Sequence, residues 1–213
     1  MCWFQGEGIK IPPLNRACIE RWKRLNPDWN VNILCNSTIG NYVPEYFEII
    51  KDSPHHKPPA RSDLLRILLL SKYGGVWADA SLYPVLPLSD FYYDVVNETK
   101  FFTYRFNPRS IDKTKGDRET VSWFLCASKP NHYLIESWKE KTIEHFKYKQ
   151  WKFYQFHETL CYLYDEDEKV KHIIDNMVQL DAEIPLSACR GTGGNWETRL
   201  KPSYMYKRPF LMK

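Results

Sequence analysis

Two carboxylates and a guanidinium stand at spacings that could assemble a site for an anionic, metal-bound substrate. Asp63 and Arg66 lie in the run Arg61-Ser62-Asp63-Leu64-Leu65-Arg66. On a helix, positions i and i+3 share a face, so the two side chains would be neighbours. Asp79 follows in the run Tyr73-Gly74-Gly75-Val76-Trp77-Ala78-Asp79-Ala80-Ser81. If a helix passes through the Gly-Gly turn into a strand, all three charged groups meet at that strand's end. A carboxylate placed there can hold Mg²⁺ or Mn²⁺, which prefer oxygen ligands and a substrate diphosphate. The guanidinium can fork onto phosphate oxygens or sugar hydroxyls. The plainer reading is a structural ion pair near the helix start, where an acid also suits the helix dipole.

The elements that would position these groups are legible. Pro58 and Pro59 open a helix over Ala60 to Lys72, since the first turn has no use for the N–H groups proline lacks. Leu64, Leu65, Ile67, Leu68 and Leu69 make it apolar almost all round, which predicts near-complete burial. Gly74-Gly75 stops it, and Val76-Trp77-Ala78 reads as a short strand ending at Asp79. Upstream, residues 2–5 read as a strand leaving the turn Gly6-Glu7-Gly8. A helix follows from Pro12-Pro13 to about Leu25, with Leu14, Cys18, Trp22 and Leu25 at helical spacing. Asn26-Pro27-Asp28 breaks it, and Trp29, Val31 and Ile33 alternate with polar residues as a half-buried strand. Strands are expected over 101–106 and 121–127, and helices over 131–148 and 151–164. His55 and His56, in the Pro-rich stretch 53–59, read as solvated. Asp165 to Glu168 reads as a solvated acidic turn, and His157 more as a helix residue than as a ligand.

Alternation of strands and helices argues for a layered α/β fold, in which ligands bind beyond strand ends. The loop Arg190-Gly191-Thr192-Gly193-Gly194-Asn195-Trp196 could bring backbone N–H groups close to a diphosphate, although an ordinary loop is the simpler reading.

Composition narrows the class. The chain has 213 residues, 43% hydrophobic and 26% charged, as expected of one globular domain. A net charge of +4, with no Lys/Arg run longer than two, excludes a nucleic-acid arm. No stretch reaches the roughly 18 apolar residues of a membrane span. The first residues carry no basic region before an apolar run, so no signal peptide is read there. Six scattered cysteines at 2, 18, 35, 126, 161 and 189 form no CxxC pair. They are expected to be free thiols, and a cytoplasmic location follows as the expectation. Aromatic residues, 15% of the chain, suit a dense core with a few stacking platforms.

The run from Pro59 to Pro87 resembles the capsular-polysaccharide-synthesis glycosyltransferases. It is also similar to the sugar-transferase family carrying a DxD motif and to the glucosylating domain of large clostridial toxins. These share Ser-Asp-x-x-Arg on a helix, then Gly-Gly and an aromatic strand, then Asp-x-Asp. Asp63 precedes Asp79 by 16 residues (79 − 63), which matches the toxin group. Trp3-Phe4-Gln5-Gly6 resembles the opening Trp-x-x-Gly. Cys18 to Trp29 resembles the helix and Asn-Pro segment that follow. Ala127-Ser128-Lys129-Pro130-Asn131-His132 resembles a later stretch of the DxD family. The likeness is dense over 3–88 and thin beyond.

The resemblance implies a single GT-A domain, a Rossmann-like nucleotide-binding mixed sheet flanked by helices. About residues 1–100 would form the nucleotide-sugar half, and about 101–213 the acceptor half with a closing loop. It implies transfer of a hexose or deoxyhexose from a UDP-sugar to a glycan acceptor, assisted by Mn²⁺ or Mg²⁺, with retention. Trp3 would stack on the nucleobase, Asp63 and Arg66 would bind the donor sugar, and Asp79 would contact ribose and sugar and help hold the metal. The implied donor site further takes in Gln5, Arg61, Ala80, Ser81, Gly193 and Asn195, with Asp79 and Ser81 as metal ligands. Ser81 stands where a second acid is usual, so this chain offers the ion a neutral hydroxyl there. That departure keeps a non-catalytic nucleotide-sugar or glycan binding module as the alternative. The sequence does not set the oligomeric state.

Overall fold

The computed structural model describes residues 2–4, 10–106, 120–147, 152, 154–186 and 205–207. In chain order the described elements are β1 (Cys2–Phe4), α1 (Pro13–Leu25), β2 (Ile33–Cys35), α2 (Asn36–Ile39), α3 (Glu45–Lys51), α4 (Pro58–Tyr73), β3 (Gly75–Ala78), β4 (Leu82–Pro84), α5 (Tyr92–Val95), β5 (Phe101–Arg105), β6 (Thr120–Ala127), α6 (Tyr133–Phe146), α7 (Gln155–Glu166), α8 (Glu168–Asn176), α9 (Glu183–Leu186) and β7 (Met205–Lys207). Strand and helix segments interleave, so the fold is mixed α/β.

The central sheet has the order β3-β6-β5 and is antiparallel throughout. Parallel pairing joins β1 and β2, where Trp3 sits opposite Leu34, and Arg105 of β5 makes an isolated parallel bridge to Asp181. Of the Rossmann-like mixed sheet expected, the described residues show parallel and antiparallel ladders, with β3 paired to the later strand β6. The half-buried strand read at Trp29 to Ile33 is displaced. Among the described residues β2 begins only at Ile33, which pairs with Cys2 of β1. Trp29 instead packs its ring edge-on against Tyr92, with centroids 5.0 Å apart.

Alternation along β6 divides the core in two. Leu125 and Ala127 face the cluster built by α3, α4, α6, α7 and α8, together with Trp77 and Phe101. Phe124 and Cys126 face the opposite cluster, with Trp22 of α1, Leu82, Phe91, Phe102 and Tyr104. Trp77 of β3 therefore points toward α4, and Asp79, two residues on, belongs to the same face by the strand period.

Helix α4 carries Pro58 and Pro59 in its first turn and is buried without interruption from Asp63 to Ser71. Its exit is fixed by Gly74, with φ 65°. A Cβ there would lie 2.7 Å from the Lys129 carbonyl carbon and 2.9 Å from the Ala127 oxygen. The turn into β3 thus packs directly on the turn that leaves β6, and Asn131 N–H donates to the Ser71 carbonyl at 2.8 Å.

Two local expectations are corrected. His56 is buried, not solvated: its Nε2 lies 2.6 Å from the Phe146 carbonyl at the end of α6, which Ser53 Oγ also reaches at 3.0 Å. That carbonyl, at a helix end, needs partners from outside the helix. The acidic run 165–168 is a helix junction and not a plain turn. Asp167 Oδ1 accepts the N–H groups of Lys169 (2.9 Å) and Val170 (3.1 Å), capping α8. Cys18, Cys35, Cys126 and Cys161 are free thiols. Among the described residues no helix is long and apolar enough to cross a membrane.

Candidate active site

Helix α4 and the end of β3 bring Asp63, Arg66 and Asp79 together, as their spacing requires. Arg66 Nη1 lies 3.0 Å from Asp63 Oδ1, and Arg66 Nη2 lies 3.7 Å from Asp79 Oδ1. Side-chain exposure is 6% for Arg66, 10% for Asp63 and 23% for Asp79, so the pair on α4 is enclosed while Asp79 reaches toward solvent. Two carboxylates share one guanidinium, which leaves the cluster with a formal excess of negative charge.

The terminal nitrogens of the guanidinium are committed to protein partners, while Nε is buried without a hydrogen-bond partner among the described residues. Nη1 also donates to the Ser122 carbonyl at 2.9 Å, and Nη2 donates to Ser62 Oγ at 3.0 Å. The ring of Trp77 lies 5.2 Å from Arg66 Cζ, and that of Phe156 lies 5.6 Å from it. Such packing favours a weakly hydrated planar cation over a compact ammonium. Trp77 Nε1 donates to Asp79 Oδ1 at 3.0 Å. The Asp79 N–H remains in the sheet, donating to the Trp123 carbonyl at 2.9 Å.

Ala80 and Ser81 occupy the turn after Asp79, closed by the Leu82 N–H on the Asp79 carbonyl at 2.9 Å. Ser81 is 2% exposed, and its Oγ is buried without a hydrogen-bond partner among the described residues. A buried hydroxyl left this way costs about 1–3 kcal/mol, so a ligand that supplied the partner would be favoured. The Ser81 oxygen and the carboxylate of Asp79, two residues earlier, are of the hard, oxygen-donor kind that Mg²⁺ and Mn²⁺ prefer. No group of three His, Cys, Asp or Glu able to hold a metal occurs among the described residues. Asp79 and Ser81 would therefore need substrate oxygens to complete a coordination shell.

The other residues of the expected site are placed as follows. Arg61 is not brought to the cluster: its Nη2 donates to the Pro54 carbonyl at 2.8 Å. It lies toward Tyr46 of α3, whose phenol burial pushes up to about 12 against the opposing Arg61 charge. Two residues from Asp63, it projects from another side of α4. Trp3 has its backbone in β1, and its side chain lies outside the description. Gln5, Gly193 and Asn195 lie outside the described residues. His157 sits in the first turn of α7, with ring centroids 6.2 Å from both Tyr154 and Phe156.

Sequence reasoning passed over Trp77, Ser62, Ser122 and Phe156 as supports. Trp77 was within reach, because i and i+2 on a strand share a face. Ser62 is four residues before Arg66 on the same helix and was equally accessible. Ser122 and Phe156 come from distant segments, and nothing local marks them.

The fold is similar to that of a solved glycosyltransferase. The solved PaToxG glycosyltransferase matches with a TM-score of 0.51 at 15% identity, covering 80% of this chain and 70% of that one. The chain belongs to the capsular polysaccharide synthesis protein family, whose profile matches residues 1–185. The match extends well past the 3–88 stretch where the motifs are densest. An O-glycosyltransferase, braB of Annulohypoxylon truncatum, is 26% identical over 148 residues. That alignment takes in 65% of this chain, which spans only 35% of the length of this curated relative.

Proposed function

We propose that this chain is a glycosyltransferase that moves a hexose or deoxyhexose from a UDP-sugar to a glycan acceptor, with metal assistance and retention of configuration. The observation that carries the reading is the Asp63–Arg66–Asp79 cluster, held by α4 and the end of β3 with Asp79 toward solvent. The glycosyltransferase names of the braB relative and of the PaToxG structure support it. On this reading a GT-A arrangement has about residues 1–100 binding the donor and about 101–213 the acceptor, and β1 presents Trp3 to the nucleobase.

Asp63 accepts a hydroxyl of the donor sugar, and Arg66 keeps both carboxylates fixed. With its terminal nitrogens committed to protein, Arg66 acts mainly through Asp63 and Asp79. Asp79, with Ser81 beside it, would hold Mn²⁺ or Mg²⁺ jointly with the diphosphate. Such an ion neutralises charge developing on the departing UDP, the kind of stabilisation that usually dominates catalysis.

Ser81, a hydroxyl in the place of an acid, favours one second reading: a module that binds a nucleotide sugar without turning it over. A panel of nucleotide sugars with Mn²⁺, screened by thermal shift and then by release of UDP, tests both. A UDP-sugar that stabilises the protein and is slowly hydrolysed supports the enzyme. Stabilisation with no UDP release supports the binding module, and no response to any UDP-sugar overturns both.

A further inference from the structure

We infer that Trp77 is a positioning residue for the site, acting through its indole N–H on Asp79. This rests on the reading of Asp79 as the residue that holds the ion and the donor. Trp77 is 2% exposed and lies two residues before Asp79 on the same face of the strand end. Its Nε1 donates to Asp79 Oδ1 at 3.0 Å. Arg66 Nη2 approaches the same oxygen at 3.7 Å, and Arg66 also lies over the Trp77 ring, 5.2 Å from its centroid. A single indole therefore fixes one oxygen of Asp79 through its edge and carries the neighbouring cation on its face.

Because both contacts fall on Oδ1, they set the torsion of the carboxylate and with it the direction of Oδ2. An ion taking few protein ligands depends on that orientation, and with Ser81 beside it Asp79 is the one charged ligand the motif offers. The Phe156 ring also lies near the guanidinium, 5.6 Å from Arg66 Cζ. It is itself stacked on Trp138 with centroids 4.0 Å apart, so the α6–α7 pair braces the same unit.

A buried indole usually finds an acceptor for its N–H, so the bond could serve packing alone. The two roles separate in calorimetric titrations of UDP with and without Mn²⁺. Trp77→Phe removes the N–H and keeps a ring under Arg66. Replacement of Trp77 by benzothienylalanine keeps the bicyclic shape should the smaller ring unsettle the fold. Partners that orient metal ligands typically matter by about 10–100-fold in metal affinity. The expected result is a loss of about tenfold or more in the tightening of UDP by Mn²⁺, with UDP affinity in the absence of metal unchanged. In an Asp79→Asn background, which removes the coupling, changing Trp77 should have no further effect. Full coupling in both Trp77 variants, with coupling lost in Asp79→Asn, overturns the role of Trp77 and leaves the reading of Asp79 standing. Coupling that survives Asp79→Asn overturns the reading itself, and the inference with it.

Discussion

Arg66 Nη1 lies 3.0 Å from Asp63 Oδ1 across one turn of α4, with both side chains almost fully withdrawn from solvent. The pair is a buried ion pair, and on the proposed reading the same contact presents Asp63 to the donor sugar. Removing one member of such a pair typically costs about 3–5 kcal/mol, because the other is left buried and unpaired. Arg66→Ala should be destabilised on that scale in urea unfolding. Arg66→Lys, which keeps the charge and loses the fork, should unfold at lower cost yet still lose activity. A stable, fully active Arg66→Ala would show that the contact does neither.

Gly74 and Gly75 both have positive φ, 65° and 81°, and differ in surroundings. A Cβ on Gly74 would meet backbone atoms of Lys129 and Ala127 within 3 Å, whereas one on Gly75 would meet nothing within 4 Å. Either substitution by Ala incurs the backbone strain, about 1–3 kcal/mol. Gly74→Ala should cost clearly more, because the clashing atoms are main chain. Thermal melts of the two variants check the order, and equal losses would show that the Lys129 turn moves aside.

His56 and His132 are buried, and burial is the main cause holding each imidazole below its ordinary value. The charges of His55 and Arg61 push His56 the same way, and those of Lys129 and Lys169 push His132. The carbonyls that accept their Nε2 protons, Phe146 and Thr99, oppose the shift. A folded-state value below the unfolded one, about 6.5, means that the unfolded chain binds the proton more readily. The stabilisation is complete above about pH 6.5 and is lost as pH falls from there through the folded-state values. Urea unfolding of the wild type should therefore weaken between about pH 7.5 and 5.5. A His56→Gln/His132→Gln variant should show a smaller decline over the same range, and an equal one would assign the acid sensitivity to other groups.

The Trp3 backbone sits in β1 opposite Leu34 of β2, and the proposed reading has its ring stack on the nucleobase. Trp3→Ala should weaken UDP by roughly 1–3 kcal/mol, the scale of one base–aromatic stack. Unchanged UDP affinity by calorimetry would remove Trp3 from the site.

The parts legible in the sequence were those set by local chemistry. The apolar run of α4, its two prolines and the Gly-Gly stop fixed that helix to within two residues at its start and one at its end. The spacing of Asp63 and Arg66 foretold a shared face, and both lie on it. What escaped depended on distant partners. The segment 36–51 forms α2 and α3, and α8 follows the acidic run, yet no strong periodic signal or recognised cap announced them. His56 looked solvated among prolines because the carbonyl it seeks belongs to Phe146, 90 residues away. Arg61 looked like a site residue by adjacency, whereas its position on the helix turns it toward Pro54.

The central claim is that Asp79 joins a divalent ion to a nucleotide diphosphate. The protein supplies one carboxylate and the buried Ser81 hydroxyl there, so the diphosphate must contribute most of the coordination. Titration of Mn²⁺ into the protein with and without UDP, for the wild type and for Asp79→Ala, tests this most directly. The account predicts weak Mn²⁺ binding to the nucleotide-free wild type, clear binding once UDP is present, and tightening of UDP by Mn²⁺ by the same factor. In Asp79→Ala that coupling should vanish. Tight Mn²⁺ binding to the nucleotide-free protein, or coupling that persists in Asp79→Ala, would contradict it.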